Sequence, residues 1–323
     1  MRDFYEQWLE LWDRGAEERR TSRKAIYPEE LQWVKTRQDY RAALLVAPET
    51  GFKTLGGVTM LAEIPVSWKT GRHNHGEEAI HILTGKGFTV IQDRRFDWEE
   101  GACIRIPFGS IHQHFNDGDT PVQYFAALAP HLEHFCSVAK FQHQEDCGEN
   151  TSIPRYDKAG SDYDEQGRRI VLHRKDALVR ERGEDDVRLQ DAFRASTHPR
   201  MQTVQHGKII RLMGASEDFR GDEVEITDIF VERPRTSSQK HAHMEALLYV
   251  IQGEGHTVID GQKVPWRPGT ALHIQGPQTV HQHFNTGSVE SHHLRTHFGI
   301  RKYIQPIAKE VFPYLFFEEG KQL

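Results

Sequence analysis

The strongest constraint on this chain is that it contains one pattern twice. His73 and His75, Gly85 and Gly87, Trp98, Gly101 and the block HQHFN from His112 to Asn116 come first. They return in the same order as His241 and His243, Gly253 and Gly255, Trp266, Gly269 and HQHFN from His281 to Asn285. The spacing is held: 241 − 73 and 266 − 98 are both 168, and 281 − 112 is 169, which one inserted loop residue accounts for. Self-similarity of this kind fixes the number of folding units, and here it predicts two. The 323 residues suffice for two full cores, since single cores stop growing at about 250–300 residues.

Within each copy, short apolar runs separated by Gly, Pro and Asp (AALLVA, GGVTMLAEIPV, IHIL, FTVI, CIRIP and VQYFAAL in the first) predict antiparallel strands of a barrel or sandwich. The expected organisation is a helical N-terminal extension over 1–44, a first barrel over 45–130, a charged interdomain segment over 131–207, a second barrel over 208–300 and a C-terminal tail over 301–323. Phe4, Trp8, Leu11 and Trp12 fall at helical spacing, with Asp3 placed to cap and Gly15 to terminate, and the two tryptophans are expected to pack on a barrel or a second subunit. A second short helix is expected from Pro28, carrying Leu31 and Val34. Asp157 to Arg169 reads as an exposed loop, Asp176–Arg182 and Leu189–Phe193 as short helices, and the apolar tail with Phe312, Leu315, Phe316 and Phe317 as a docking segment.

Composition removes several function classes. A formal charge of −6 offers no basic face for nucleic acid. No stretch approaches the roughly 20 apolar residues of a membrane span, and acidic residues interrupt the N-terminus where a signal peptide would need an apolar run. Cys103, Cys136 and Cys147 form no CxxC and leave an odd count, which argues against a disulfide framework and for a cytoplasmic protein. The count that stands out is 20 histidines, eight of them inside the repeated HxH and HQH elements.

Two histidines at i and i+2 on a strand project from one face. His73 with His75, and His241 with His243, can therefore each offer two imidazoles to one metal ion, with His112 and His281 as third ligands from a neighbouring strand. Neutral imidazole suits Zn, Cu, Fe and Ni, and three such ligands leave coordination positions open. His114 and His283, two residues beyond the third ligand on the same strand face, are candidate catalytic residues for proton transfer or substrate hydrogen bonding. Arg72, Arg105 and His81 in the first copy and Tyr249 and His273 in the second are candidate pocket residues. Glu77 and Glu245 read as hydrogen-bonded groups near the sites, Trp98 and Trp266 as core, and the isolated His131, His134, His143, His173, His198 and His206 as structural.

The run Gly101, Pro107, Gly109, His112, Asn116 matches the second motif of the cupin superfamily, and His73-x-His75 with Gly85 resembles its first. With both motifs present twice, the chain resembles a bicupin. The fold this implies is all-β: two tandem cupin double-stranded β-helix (jelly-roll) barrels with helical N-terminal and C-terminal extensions. Many cupins place a Glu seven residues before the motif's glycine. Here that residue is Glu78 in the first copy and Ala246 in the second. The second site thus reads as three histidines alone, and the first as three histidines with Glu78 available as a fourth ligand.

A three-histidine centre with alanine at that position resembles gentisate 1,2-dioxygenase and its relatives. The resemblance implies a cytoplasmic non-haem iron oxidoreductase of aromatic compound catabolism: Fe(II), alternatively Mn or Ni, one ion per barrel, cleaving the ring of a gentisate- or salicylate-like hydroxylated aromatic acid or phenol with O₂. It also implies a homodimer or homotetramer, and activity in the N-terminal barrel. The residues depart from that family in one respect, because no arginine stands near Leu248 or at Ile80 to hold a ring carboxylate. The alternatives are a Mn-, Ni- or Fe-dependent decarboxylase, isomerase or lyase of a small oxyacid, which a carboxylate ligand at Glu78 would favour, and a metal-binding sensor or storage cupin.

Overall fold

The structure, a computed structural model, describes residues 3–150, 156–158, 161–182, 207–214, 218–298, 315–318 and 320–323. Each half is a jelly-roll of two facing antiparallel sheets. In the first half, Arg41–Leu44, Val58–Ile64, Val122–Leu128, Glu78–Thr84 and Cys103–Ile106 lie side by side. Opposite them run Arg72–Asn74, His112–Phe115, Lys86–Ile91 and Arg94–Glu99. In the second half one sheet holds Gly207–Arg211, Val224–Glu232, Ser291–Phe298, Ala246–Gln252 and Ala271–Ile274, and the other Gln262–Trp266, Gly255–Ile259, His281–Asn285 and Lys240–Ala242. Among the described residues no helix is long and apolar enough to cross a membrane.

Strand parity sorts the side chains into three large cores, with a small fourth cluster of Phe88, Val90 and Phe115. Ile80, Ile82, Ile104 and Ile106 point into the first barrel with Trp98, and Ala246, Leu248, Val250, Leu272 and Ile274 into the second with Trp266. Their neighbours in sequence, including Ala79, Cys103, Phe125, Leu247, Tyr249, Ala271 and Leu294, form a third core where the two barrels pack sheet to sheet. There the Phe125 and Tyr249 rings lie 5.5 Å apart. Both faces of these central sheets are thus buried, which explains runs of continuous rather than alternating apolar residues.

The repeat extends to an exchange of strands. Ala25–Ile26, which precedes the first barrel, pairs with Leu272 and Ala271 of the second. Val171–Leu172, which precedes the second barrel, pairs with Ile104 and Cys103 of the first. The receiving positions differ by 272 − 104 = 168 and 271 − 103 = 168. Each half is therefore completed by chain that leads into the other.

The G-x-G elements have two separate reasons. Gly85 and Gly253 have φ of +85° and +86°, a left-handed conformation that glycine adopts without penalty. At Gly87 and Gly255 a Cβ would lie 2.1 Å from the Phe115 carbonyl oxygen and 1.9 Å from that of Phe284, so close strand approach excludes any side chain. Gly57 does the same for the contact between barrels, since a Cβ there would meet the buried Phe298 ring at 2.3 Å. Gly57→Ala is expected to destabilise the protein by about 1–3 kcal/mol through overpacking, read as a lower urea midpoint. An unchanged midpoint would mean that Phe298 is not held against this loop.

Several local expectations are corrected. Gly15 does not end a helix: Phe4–Leu9 and Leu11–Thr21 are both helical, the first capped by Asp3, and Gly15 lies inside the second. Neither helix buries a residue, and Trp8 and Trp12 are 60% and 55% exposed, so they form no part of this chain's core. The helix expected from Pro28 is one 3₁₀ turn, Pro28–Glu30, and Val34 instead bridges to Ala42. Asp176–Arg182 is not helical; Val179–Arg182 pairs as a strand with Gly207–Arg211, the β-branched Val179 and Ile210 standing opposite one another. In the stretch read as an exposed loop, Asp157–Lys158 pairs with Arg94–Glu99 and Tyr163 bridges to Arg169. Leu189–Phe193 and Phe312 lie outside the described residues. Of the C-terminal extension, expected to be helical, residues 301–314 lie outside the described residues, and Leu315–Glu318 is a strand that pairs with the edge of Lys240–Ala242, where unsatisfied backbone groups outweigh local preference.

Candidate metal centres and the cavity above the first

Backbone pairing brings the separated histidines of each copy together: His112 lies opposite His73, and His281 opposite His241. In the first trio, ring centroids are 4.8 Å apart for His73 and His75, 4.3 Å for His73 and His112, and 4.8 Å for His75 and His112. In the second they are 5.2 Å for His241 and His243, 4.2 Å for His241 and His281, and 4.7 Å for His243 and His281. Within each trio the available ligand atoms lie within 4.8 Å of one another. His73 is half-buried and the other five are buried.

Every one of the six rings sets its Nδ1 against a backbone carbonyl. The acceptors are Gly71 at 3.4 Å, Gly76 at 2.9 Å and Ser110 at 2.9 Å in the first centre. In the second they are Gln239 at 2.7 Å, Met244 at 2.6 Å and Thr279 at 3.0 Å. A carbonyl only accepts, so each neutral ring carries its proton on Nδ1 and turns the lone pair of Nε2 inward. That tautomer suits metal ligation, and the carbonyls are the outer partners that fix ligand orientation. The buried Nε2 of His112 has no hydrogen-bond partner. Burial and the neighbouring imidazoles push His73 down to about 2, and burial pushes His281 down to about 4, which keeps both rings neutral. The residues present fit a divalent ion in each barrel.

The two centres differ by one carboxylate. Glu78 is buried, with Oε2 3.5 Å from Nε2 of His75 and 3.6 Å from Nε2 of His112. Burial acts to raise its pKa, but the adjacent His112 and His75 rings outweigh this and hold the carboxyl well below its usual range. Its counterpart at 78 + 168 = 246 is Ala246, 1% exposed and part of the barrel core. Electrostatically the first centre is three imidazoles and an anion, whereas the second is three imidazoles.

His114 and His283 stand beside the trios, with ring centroids 5.5 Å from His112 and 5.4 Å from His281. The Thr89 hydroxyl accepts from the Trp98 indole N–H at 2.8 Å and lies 2.8 Å from Nδ1 of His114, a hydrogen bond that fixes the ring and leaves its Nε2 free of this contact. Thr257 and His283 repeat the contact at 2.8 Å. The asparagines of the HQHFN blocks brace the barrels: Asn116 donates to the carbonyls of Ile64 and Thr120, and Asn285 to those of Glu232, Arg233 and Val289.

A cavity of about 350 Å³ opens above the first centre, lined among others by His73, His75, Glu78, His114, Tyr124 and Asp39. Asp39 is a site residue that sequence reasoning missed. Its carboxyl is 3% exposed, and the Tyr124 hydroxyl donates to Oδ1 at 2.9 Å. His143, read as structural, pairs with Asp146 at 2.6 Å and also lines this cavity. In the second half, Asp228 is fully buried between Arg211 and Arg295.

The candidate pocket residues other than these are not at either centre. Arg72 points outward to Asp93 and Gln144. Arg105, His81, Tyr249 and His273 have the parity of the inter-barrel core: Arg105 pairs with Glu77 at 2.6 Å, His81 stands opposite Cys103, Tyr249 packs on Phe125 and His273 pairs with Glu245 at 2.7 Å. A one-residue step along a strand changes the face, and these four fall on the odd step.

A cupin domain family model matches residues 60–128 and again 229–294. Among curated proteins, the uncharacterized protein MJ1618 of Methanocaldococcus jannaschii is 32% identical over 75 residues, which is 23% of this chain and 60% of that protein's length. Among solved structures, a mutant of Bacillus subtilis oxalate decarboxylase matches with a TM-score of 0.63 at 12% identity, over 94% of this chain and 89% of that one. A variant of the salicylate 1,2-dioxygenase of Pseudoaminobacter salicylatoxidans in complex with gentisate matches with a TM-score of 0.56 at 14% identity, over 82% of this chain and 73% of that one. At such identities these likenesses show the fold.

Proposed function

Since the chain is a bicupin, with a cupin domain in each half, we propose that it is a metal-dependent enzyme whose first barrel carries out a non-oxidative reaction, decarboxylation or a related lyase or isomerase step, on a small carboxylic acid. The observation that carries this reading is Glu78, whose carboxylate stands between His75 and His112 at 3.5 and 3.6 Å. His73, His75, His112 and Glu78 would hold the ion, which could be manganese, iron or nickel. A carboxylate oxygen added to three imidazoles partly neutralises the ion and suits harder divalent ions better than imidazole alone. The ion supplies Lewis-acid polarisation of a bound carboxylate or hydroxyl oxygen. His114 would hydrogen-bond the substrate or move a proton, and His283 holds the same position in the second barrel.

A second reading has its own support. His241, His243 and His281 with Ala246 leave a bound ion its full charge, and an Fe(II) oxygenase cleaving the ring of a gentisate- or salicylate-like acid or phenol with O₂ would act through such a centre. We also assign the chain to a cytoplasmic homodimer or homotetramer. The exposed Phe4, Trp8, Leu11 and Trp12 support this assembly, because an apolar face of this kind marks an interface.

Metal analysis of freshly purified protein, combined with oxygen uptake and carbon dioxide release on hydroxylated aromatic acids and small dicarboxylic acids, tests the choice. Carbon dioxide release without oxygen uptake is expected. Oxygen uptake with iron in the protein would overturn the first reading in favour of the second, and neither activity would leave a binding protein.

A further inference from the structure

The N-terminal segment contributes more to the first barrel than a cover. Residues Thr36 to Asp39 form a tight turn in which the Thr36 hydroxyl accepts from the backbone N–H of Gln38 at 3.0 Å and of Asp39 at 2.8 Å. The turn is tied to the barrel by the Val34–Ala42 bridge and by Gly71 N–H to the Gln38 carbonyl at 2.7 Å. It is tied to later chain by Cys147 N–H to the Arg37 carbonyl at 2.8 Å. A turn held at so many points presents its last side chain rigidly, and that side chain, Asp39, lines the cavity together with Glu78 and His75.

Three features make this carboxyl unusual. It is 3% exposed. Among the described residues it makes no ion pair with a cation, and its partners are hydroxyls: Tyr124 at 2.9 Å on Oδ1 and Thr36 at 3.4 Å on Oδ2. It also lines the same cavity as Glu78 and His75 of the first centre. A buried carboxyl whose partners are hydroxyls rather than a basic side chain is pushed toward its protonated form. Burial accordingly pushes Asp39 up to about 7.

We propose that Asp39 is the proton donor of the first centre, acting on a small carboxylate substrate. The inference rests on the non-oxidative reading above. When the substrate's carbon–carbon bond to its carboxylate breaks, carbon dioxide leaves and the electron pair stays on the remaining carbon. The Asp39 O–H bond then breaks and its proton forms the new C–H bond. Asp39 is left as a carboxylate that the Tyr124 hydroxyl hydrogen-bonds, and water returns the proton. The sum is one carboxylate and one proton in, one C–H and one carbon dioxide out, with no oxidant consumed.

The test uses metal-loaded full-length protein with oxalate, malonate, 2-oxoglutarate and salicylate as probes, measuring carbon dioxide release. Asp39→Asn, nearly isosteric with a neutral acid, is expected to lower kcat by about 10²–10⁴-fold, the range for loss of a general acid, with metal content unchanged and KM within a few-fold. Tyr124→Phe is expected to lower kcat about tenfold and serves if the first variant does not fold. Wild-type product formed in D₂O should carry one deuterium where the carboxylate was. The infrared difference between wild type and Asp39→Asn at pH 6 should contain the carbonyl stretch of a protonated acid. Release by Asp39→Asn and Tyr124→Phe at the wild-type rate, or a carboxylate band in place of the acid band, overturns the assignment and leaves the non-oxidative reading standing. No release by wild-type protein from any probe overturns that reading, and the assignment falls with it.

Discussion

His75→Ala is expected to lower turnover by roughly 10³-fold or more and to remove one equivalent of bound metal, while His243→Ala removes one equivalent and leaves turnover within about tenfold of wild type. The magnitude follows from the several kcal/mol that a metal contributes to the barrier it lowers, with each 1.36 kcal/mol worth a factor of ten. His75 lies next to both other members of its trio and is the ring closest to Glu78. Its removal takes one ligand from the set and leaves Glu78 buried with His112 as its remaining imidazole partner. His243 has the same place in its own trio, where Ala246 of the barrel core stands at the position of Glu78. Metal content by elemental analysis and steady-state turnover of the two variants decide the matter. Equal losses would contradict a single reacting barrel, and a loss confined to His243→Ala would move the chemistry to the three-histidine centre.

Much of this site is legible in the sequence because it is built from a repeat. Period-two alternation places His73 and His75 together, and the constant offset shows which later histidines correspond. The two barrels, the six imidazoles and the buried Trp98 and Trp266 follow from that pattern alone. Glu78 was readable only as an available ligand, three residues after His75, because spacing alone does not show that the chain turns at Gly76 and begins a new strand at Glu78. That turn resets the phase, so that Glu78 faces the barrel and His81 the inter-barrel core, while Arg105, Tyr249 and His273 reach that core by the parity of their own strands.

What was not legible depends on contacts between segments far apart in sequence. Asp39 lies outside the repeat, in a loop with no strand period, and its partner Tyr124 is 85 residues away. Nothing local distinguishes it from a solvated aspartate. The exchanged strands Ala25–Ile26 and Val171–Leu172 are two residues each, too short to carry a periodic signal. The C-terminal strand exists because Lys240–Ala242 has an open edge, which is a property of the folded barrel.

The second large effect concerns the joint between the barrels. Glu77→Ala is expected to destabilise the protein by about 3–5 kcal/mol, the usual result of removing one member of a buried ion pair. Glu77 is 1% exposed, accepts from Arg105 Nε at 2.6 Å with one oxygen, and with the other accepts from the backbone N–H groups of Glu223 at 2.6 Å and Val224 at 3.0 Å in the second half. Truncation leaves the guanidinium of Arg105, 5% exposed, with only the carboxylate of the exposed Asp222, and orphans two backbone donors. The repeat supplies an internal control. Glu245, at 77 + 168, reaches back to the first half, accepting from Leu55 N–H at 3.1 Å and pairing with His273 at 2.7 Å. The partners correspond as well, since Leu55 and Arg105 become Glu223 and His273 at 55 + 168 and 105 + 168. Arg105 is a permanent cation whereas an imidazole is not, so Glu245→Ala should cost less, about 1–3 kcal/mol, the penalty for orphaned buried hydrogen-bonding groups. Adding Arg105→Met to Glu77→Ala should restore part of the loss by removing the stranded charge. Urea midpoints of the three variants test the ordering. A Glu77→Ala loss no larger than that of Glu245→Ala would mean that the guanidinium finds water or another anion at the joint, and that the two barrels are held by their apolar core alone.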